Sequence, residues 1–306
     1  MKKKFINECH IEGYLYEHKL EVKESGPKSK NPGTKYIKGS ISIATDEALT
    51  NIVPVFYTYV TAMTSNGPNN TYNVLTNIIN GVYGSVMENG AANATKVRVD
   101  CSLNLNEFYN KKDEFVSEQR NEGGFIHVVE GSLIEKENSR NTFKADMIIT
   151  SVVHVDADYE RDLPEKAIVK GCIFDFRNAI LPVEFSAIQP AAIAYFENLG
   201  ASKTEPVFTQ LWGNQIATTI VKRTVIESAF GDDAVKETPT SKKEFVITGS
   251  MRVPYEWNDP STITAEELSG LIAARETMLA TKKQERDAYK ASQEASAQPA
   301  IGGFNF

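Results

Sequence analysis

His10-Ile-Glu-Gly-Tyr-Leu-Tyr-Glu-His18, near the start of the chain, alternates with the period of a strand. Ile11, Gly13 and Leu15 fall on one face; His10, Glu12, Tyr14, Tyr16 and His18 fall on the other. Tyr36-Ile-Lys-Gly-Ser-Ile-Ser-Ile43 repeats the pattern, with Ile37, Ile41 and Ile43 on the apolar face and Tyr36, Lys38, Ser40 and Ser42 outward. Asn51-Ile-Val-Pro-Val-Phe-Tyr-Thr-Tyr-Val60 is β-branched and aromatic, which predicts a third strand, its faces mixed. Pro54 places that strand near an edge or a bulge, because proline has no N–H for a ladder.

A buried face takes Ile, Val and Leu at low cost, but tyrosines on the wet face gain nothing from core packing. Between the first two strands, Lys23 to Lys35 forms a Gly/Pro/Asn loop with four lysines against one glutamate. Outward aromatic rings beside a mobile basic loop match what single-stranded nucleic acid requires. Rings stack on bases for about 1–3 kcal/mol each, and lysines attract phosphates without reading sequence. The competing reading is that the tyrosines pack on a neighbouring element and the lysines only keep a loop soluble.

The order strand, Gly33-Thr34 turn, glycine-centred strand, Thr45-Asp46-Glu47, then Val53-Pro54-Val55 resembles the opening of bacterial and phage single-stranded DNA-binding proteins of the OB-fold type. The Ser65-to-Asn70 loop and the helix after it continue the resemblance over roughly the first 110 residues. It implies a barrel that binds single strands across the outer face of its first three strands.

The chain has 306 residues, 41% of them hydrophobic, enough to bury a core and to fill two domains. Its net charge of −7 argues against a polyanion partner, but residues 1–44 hold nine lysines against five glutamates, so the acid lies elsewhere. Binding follows the local field of a groove, not the sum over the chain. No run approaches 18 apolar residues, and Met1-Lys-Lys-Lys-Phe5 leads into no apolar stretch, which predicts neither a membrane span nor a signal peptide. The expected location is the cytoplasm, that of the host if the gene is phage-borne. Cys9, Cys101 and Cys172 are odd in number and widely spaced, suggesting neither a disulfide framework nor a zinc site. No nucleotide-binding, metalloprotease or nucleophile-elbow motif occurs, and the four histidines are scattered. The expectation is a protein without cofactor, metal or catalytic residues.

Further along, Val74, Leu75, Ile78, Ile79, Val82 and Val86 predict one helix, capped by Asn70 or Thr71 and stopped at Asn89-Gly90. Val97, Val99, Cys101, Leu103 and Leu105 face inward on a long strand whose outer face carries Lys96 and Arg98. Two more strands follow, around Gly123–Val129 and Lys144–Val155, with a hairpin tip at Glu135–Asn141. A linker at 156–164 precedes an apparent restart. Lys166–Phe176 echoes the glycine-centred first strand, and Ala179-Ile-Leu-Pro-Val-Glu-Phe185 echoes Val-Pro-Val. A short helix opens at Pro190, and Pro206–Ile226 and Lys243–Arg252 give the last strands, with Asp232–Ser241 as a polar loop. Phe176, Arg177, Phe208, Trp212, Lys222 and Arg223 are candidates to prolong a binding track, or to pack inside. Thr264-Ala-Glu-Glu267 is a capping box, and the helix it opens gives way to an Ala/Gln/Ser-rich tail ending in Phe304 and Phe306. The resembled proteins end a flexible tail with a phenylalanine that docks on replication and repair partners. Here the tip lacks their acidic residues.

The fold expected is mainly β with a few helices: an elaborated OB-like barrel over 1–156, a second over 166–256, a C-terminal helix over 262–291 and a disordered tail over 292–306. The function expected is sequence-independent binding of single-stranded DNA in replication or recombination, with RNA as a competing ligand. Tyr14, Tyr16, Tyr36, Phe56, Tyr57 and Tyr59 would stack bases. Lys28, Lys30, Lys35, Lys38 and Arg98 would hold phosphates, and Phe304 and Phe306 would dock replication or recombination proteins. Homo-oligomers are allowed. The alternative is an OB-fold assembly protein that binds other proteins and no nucleic acid.

Overall fold

The computed structural model describes residues 4–160, 163–226, 234–257, 259 and 262–297. The protein is mainly β, with four α-helices among the described residues. In chain order they are β1 (Asn7–His18), β2 (Glu21–Glu24), β3 (Lys35–Ala44), β4 (Ile52–Thr61), the small pair β5 (Met63–Thr64) and β6 (Gly67–Pro68), α1 (Asn70–Ile79), α2 (Val86–Asn89), β7 (Lys96–Tyr109), β8 (Phe115–Val128), β9 (Asn141–Val155), β10 (Lys166–Phe174), β11 (Ile180–Ala187), α3 (Pro190–Asn198), β12 (Val207–Ile226), β13 (Ala234–Ser250) and α4 (Ala265–Ala297).

Eleven strands form one mixed sheet that closes on itself twice. The first cycle runs β1-β3-β4-β8-β7 and back to β1; the second runs β9-β10-β11-β13-β12 and back to β9. In each, a helix (α1 or α3) lies between the third and fourth strands, and the third and fifth strands pair in parallel. β1 joins the cycles by sharing one of its edges. Its first half pairs with β9 (Asn7↔Ala145 to Ile11↔Asn141) and its second half with β3 (Tyr14↔Ala44 to His18↔Ile41).

The period-2 pattern decides what each cycle encloses. Ile11 and Leu15, Ile37, Ile41 and Ile43, Val53 and Val55, and Val97 and Val99 are buried in the first, over Leu75 and Ile78 of α1. Phe143, Val169, Val183, Phe185 and Phe196 fill the second. Phe5 joins the two halves by stacking on Phe174, with ring centroids 4.0 Å apart, and meeting Phe208 edge-on.

A polar clasp completes the junction. Gln215 and Asn121 exchange two side-chain hydrogen bonds of 2.7 and 2.9 Å, and the Gln215 carbonyl accepts from Asn51 and Asn141.

Several boundaries differ from the sequence reading. β9 pairs with β10 and β12, so the second cycle begins at Asn141 rather than Lys166. Gly171 is thereby the counterpart of Gly39 in the second strand, not of Gly13 in the first. A Cβ on Gly171 would lie 2.0 Å from the Ile148 carbonyl, and one on Gly39 would lie 2.0 Å from that of Lys19. Both are places where neighbouring backbone comes too close for a side chain.

The single helix expected over 70–89 is two helices, because Asn80 and Gly81, the latter at φ +71°, stop α1 and leave Val82 exposed. Ala234–Ser241, read as loop, is strand: β13 pairs with β12 out to Ile226↔Ala234.

The chain divides into two compact units, Met1–Leu105 with Gln119–Tyr255, and Asn106–Glu118 with Glu256–Phe306. In the second, Thr264 and Glu267 cap α4 reciprocally, as expected. Leu268, Leu271, Arg275, Leu279, Lys282, Arg286 and Lys290 form its half-buried stripe. Arg275 and Lys282 pair with Glu107, and Arg286 and Lys290 with Asp113. The helix runs on to Ala297, through residues 292–297 read as tail. That reading weighed only apolar burial, whereas Gln293, Glu294, Ala295 and Ala297 are helix formers. Phe304 and Phe306 lie outside the described residues.

Candidate nucleic-acid interface

Two aromatic groups stand on the outer surface of β3 and β4. Tyr36 and Tyr59 lie ring on ring, with centroids 4.5 Å apart and planes tilted by 35°. Further along β4, the Arg120 guanidinium sits 4.9 Å over the Phe56 ring and 3.2 Å from Glu122. Tyr59 is half exposed, and its hydroxyl is 3.3 Å from that of Ser25 at the root of the basic loop.

A one-residue bulge makes this arrangement. Ile37 pairs with Val60 and Gly39 with Tyr57, so Thr58 and Tyr59 together oppose Lys38. By strict alternation Tyr59 would follow Val53, Val55 and Tyr57 into the barrel. The extra residue resets the phase, sends Val60 against the core and leaves Tyr59 outside.

Lys38 extends the same face, and β2 adds Lys23 opposite Tyr36 and Glu21 opposite Lys38. Lys23 is paired with Glu21, whereas Lys28, Lys30, Lys35 and Lys38 make no ion pair among the described residues. All four are exposed. Their charge is free to meet a phosphate.

The other expected residues lie elsewhere. Tyr57 is 1% exposed and belongs to the core, which removes it from any stacking surface. Its hydroxyl has no hydrogen-bond partner among the described residues, and burial pushes the phenol far above its usual titration range. Tyr57→Phe is therefore expected to leave stability unchanged or raise it by about 1 kcal/mol, since it deletes an unpaired buried donor. Oligonucleotide affinity should not move. A urea midpoint falling at constant m would show that the hydroxyl is satisfied after all.

Tyr16 sits at a second bulge, between the Leu15↔Ile43 and Glu17↔Ser42 pairs. Tyr14 donates to Glu47 at 3.0 Å, and Arg140 holds Glu47 at 2.7 Å. Burial and then Glu47 raise the Tyr14 phenol's pKa. Tyr14 pairs across strands with Lys96, and Arg98 with Glu12. The segment before β9 bonds to this face: Ile134 N–H donates to Glu12 at 2.6 Å and Lys96 Nζ to the Gly131 carbonyl at 3.1 Å. Tyr14 is thus engaged on another surface, where Arg98 lies 3.7 Å from Asp100 with its Nε making no hydrogen bond among the described residues. The structure does not bring them together with Tyr36.

Of the candidates in the second half, Phe208 is buried while Phe176 and Trp212 are exposed; the side chains of Lys222 and Arg223 lie outside the described ones. Arg120 and Glu122 belong to the face and were not anticipated; Lys23, counted among the loop lysines, stands on β2 instead. Residues 115–122 were read as connection, but they continue β8 and place Glu122 opposite Phe56.

Among the described residues no group of His, Cys, Asp or Glu could hold a metal ion, and no helix is long and apolar enough to cross a membrane. The three cysteines are buried.

Comparison with solved structures finds a deletion mutant of the single-stranded DNA binding protein from Thermus aquaticus, at a TM-score of 0.45 and 11% identity, covering 84% of this chain and 98% of that one. Comparison with curated proteins finds no match. The YorF family model matches residues 6–285, and the chain belongs to the YorF family.

Proposed function

We propose that this protein binds single-stranded DNA without sequence preference, and that it does so as a binding protein, not an enzyme. The observation that carries the reading is the Tyr36–Tyr59 pair, with Tyr59 set outward by a bulge, beside lysines that make no ion pair among the described residues. The two strand cycles are read as OB-type barrels, whose outer sheet face and loops suit extended strands. A stacked ring pair offers one flat face to any base, and the loop lysines supply phosphate attraction at no particular sequence. Phe56, under Arg120, gives a second aromatic position about three residues along β4, or about 10 Å.

Fluorescence polarisation with labelled oligo-dT at two salt concentrations tests the proposal. Binding in the micromolar range or tighter is expected at low salt, weakening steeply as salt rises because phosphate contacts release counterions. Absence of binding at low salt, with purified protein free of nucleic acid by its absorbance ratio, would favour an assembly protein instead.

A further inference from the structure

The second barrel carries an aromatic position on different strands. Trp212 on β12 pairs with Gly249 of β13 on one side and Lys144 of β9 on the other. Its indole lies where a side chain at Gly249 would stand: a Cβ there would be 2.3 Å from Trp212 Nε1 and 2.4 Å from Cε2. Any other residue at 249 would push the ring off the strand. The glycine lets the indole lie low across the sheet while 40% of the residue stays exposed.

An exposed tryptophan is a costly surface residue unless something covers it, and this one has an indole N–H with no hydrogen bond among the described residues. Lys144 beside it is exposed and makes no ion pair, although Glu8 of β1 is its cross-strand neighbour. A flat ring and a cation that makes no ion pair among the described residues therefore stand side by side on the outer face of β9 and β12.

We infer that Trp212 and Lys144 form a second nucleotide site, in which a base lies on the indole and a flanking phosphate meets the lysine. This rests on the single-strand reading of the first barrel and adds that one strand engages both barrels. Length dependence separates the sites. An oligo-dT of about 8 nucleotides fits a single OB unit, whereas about 30 is long enough to engage two of them.

Trp212→Ala is expected to weaken the long oligonucleotide about tenfold and to change the short one less than about twofold. The long oligonucleotide should also quench a fluorescence component that Trp212→Ala lacks. Lys144→Gln, which alters only an exposed tip, should lower the salt slope for the long oligonucleotide by about one. If the wild type binds the long oligonucleotide and neither variant affects it, the second site is refuted while the first barrel's role stands. If the wild type binds neither oligonucleotide, both readings fall together.

Discussion

Replacing Tyr36 and Tyr59 together by alanine is expected to weaken oligo-dT binding by about 2 kcal/mol, roughly 30-fold, at low salt. The two rings already rest on each other, so they act as one platform for one base, not as jaws around two. Either single variant should therefore lose most of the effect, because removing one ring leaves the other unsupported. The fold should tolerate the change: Tyr59 is half exposed, and an aromatic pair contributes only about 0.5–1.5 kcal/mol beyond its burial. Circular dichroism and a urea melt would confirm a folded variant. Tyr14→Ala serves as the contrast, since Tyr14 is engaged with Glu47 on another surface and its loss should leave affinity nearly unchanged. A folded double variant with wild-type affinity would remove the β3–β4 face from the proposal.

Gln215→Leu is expected to lower unfolding free energy by about 2–4 kcal/mol. Gln215 is 6% exposed, and its side chain both gives and takes a bond with Asn121. Leucine would leave the Asn121 carbonyl oxygen without its donor and take one of the two acceptors its amide group serves, the other being the Pro54 carbonyl. A buried polar atom stripped of its partner costs about 1–3 kcal/mol. Removing both members avoids that penalty, so adding Asn121→Leu should recover part of the loss. Urea denaturation of the four proteins in the cycle measures the coupling. A double variant as unstable as the sum of the singles would mean that the clasp is held by the side-chain bonds that Asn51 and Asn141 donate to the Gln215 carbonyl.

Much of this architecture was legible because one face of nearly every strand is enclosed. Ile11 with Leu15, Ile37 with Ile41 and Ile43, and Leu181 with Val183 and Phe185 all point inward as their alternation predicts. Tyr36 and Lys38 were recognisable as outward and the loop lysines as a basic cluster, while Tyr57 and Tyr59 stood together on a strand of mixed faces. What alternation cannot reveal is a change of phase. The extra residue at Thr58–Tyr59 puts Tyr57 inside and Tyr59 outside, although two positions separate them and a regular strand would give them one face. Tyr14 was misplaced for another reason. Its strand was read correctly, but the segment around Ile134 that engages its surface comes more than a hundred residues later, beyond any local pattern. Similarly, the ion pairs that Glu107 and Asp113 make with α4 join residues far apart in the chain, beyond any local pattern.

The edge of β1 that is divided between β9 and β3 makes the two barrels inseparable as parts. Excising either one would bare a row of backbone donors and acceptors along Asn7–Ile11 or its counterpart on β9, an invitation to pair with stray chains. Though each half repeats the other's connectivity, neither is a module to be shuffled or borrowed on its own. Recombination within such a gene can exchange the loops and the arm freely, but must inherit both barrels as a single piece.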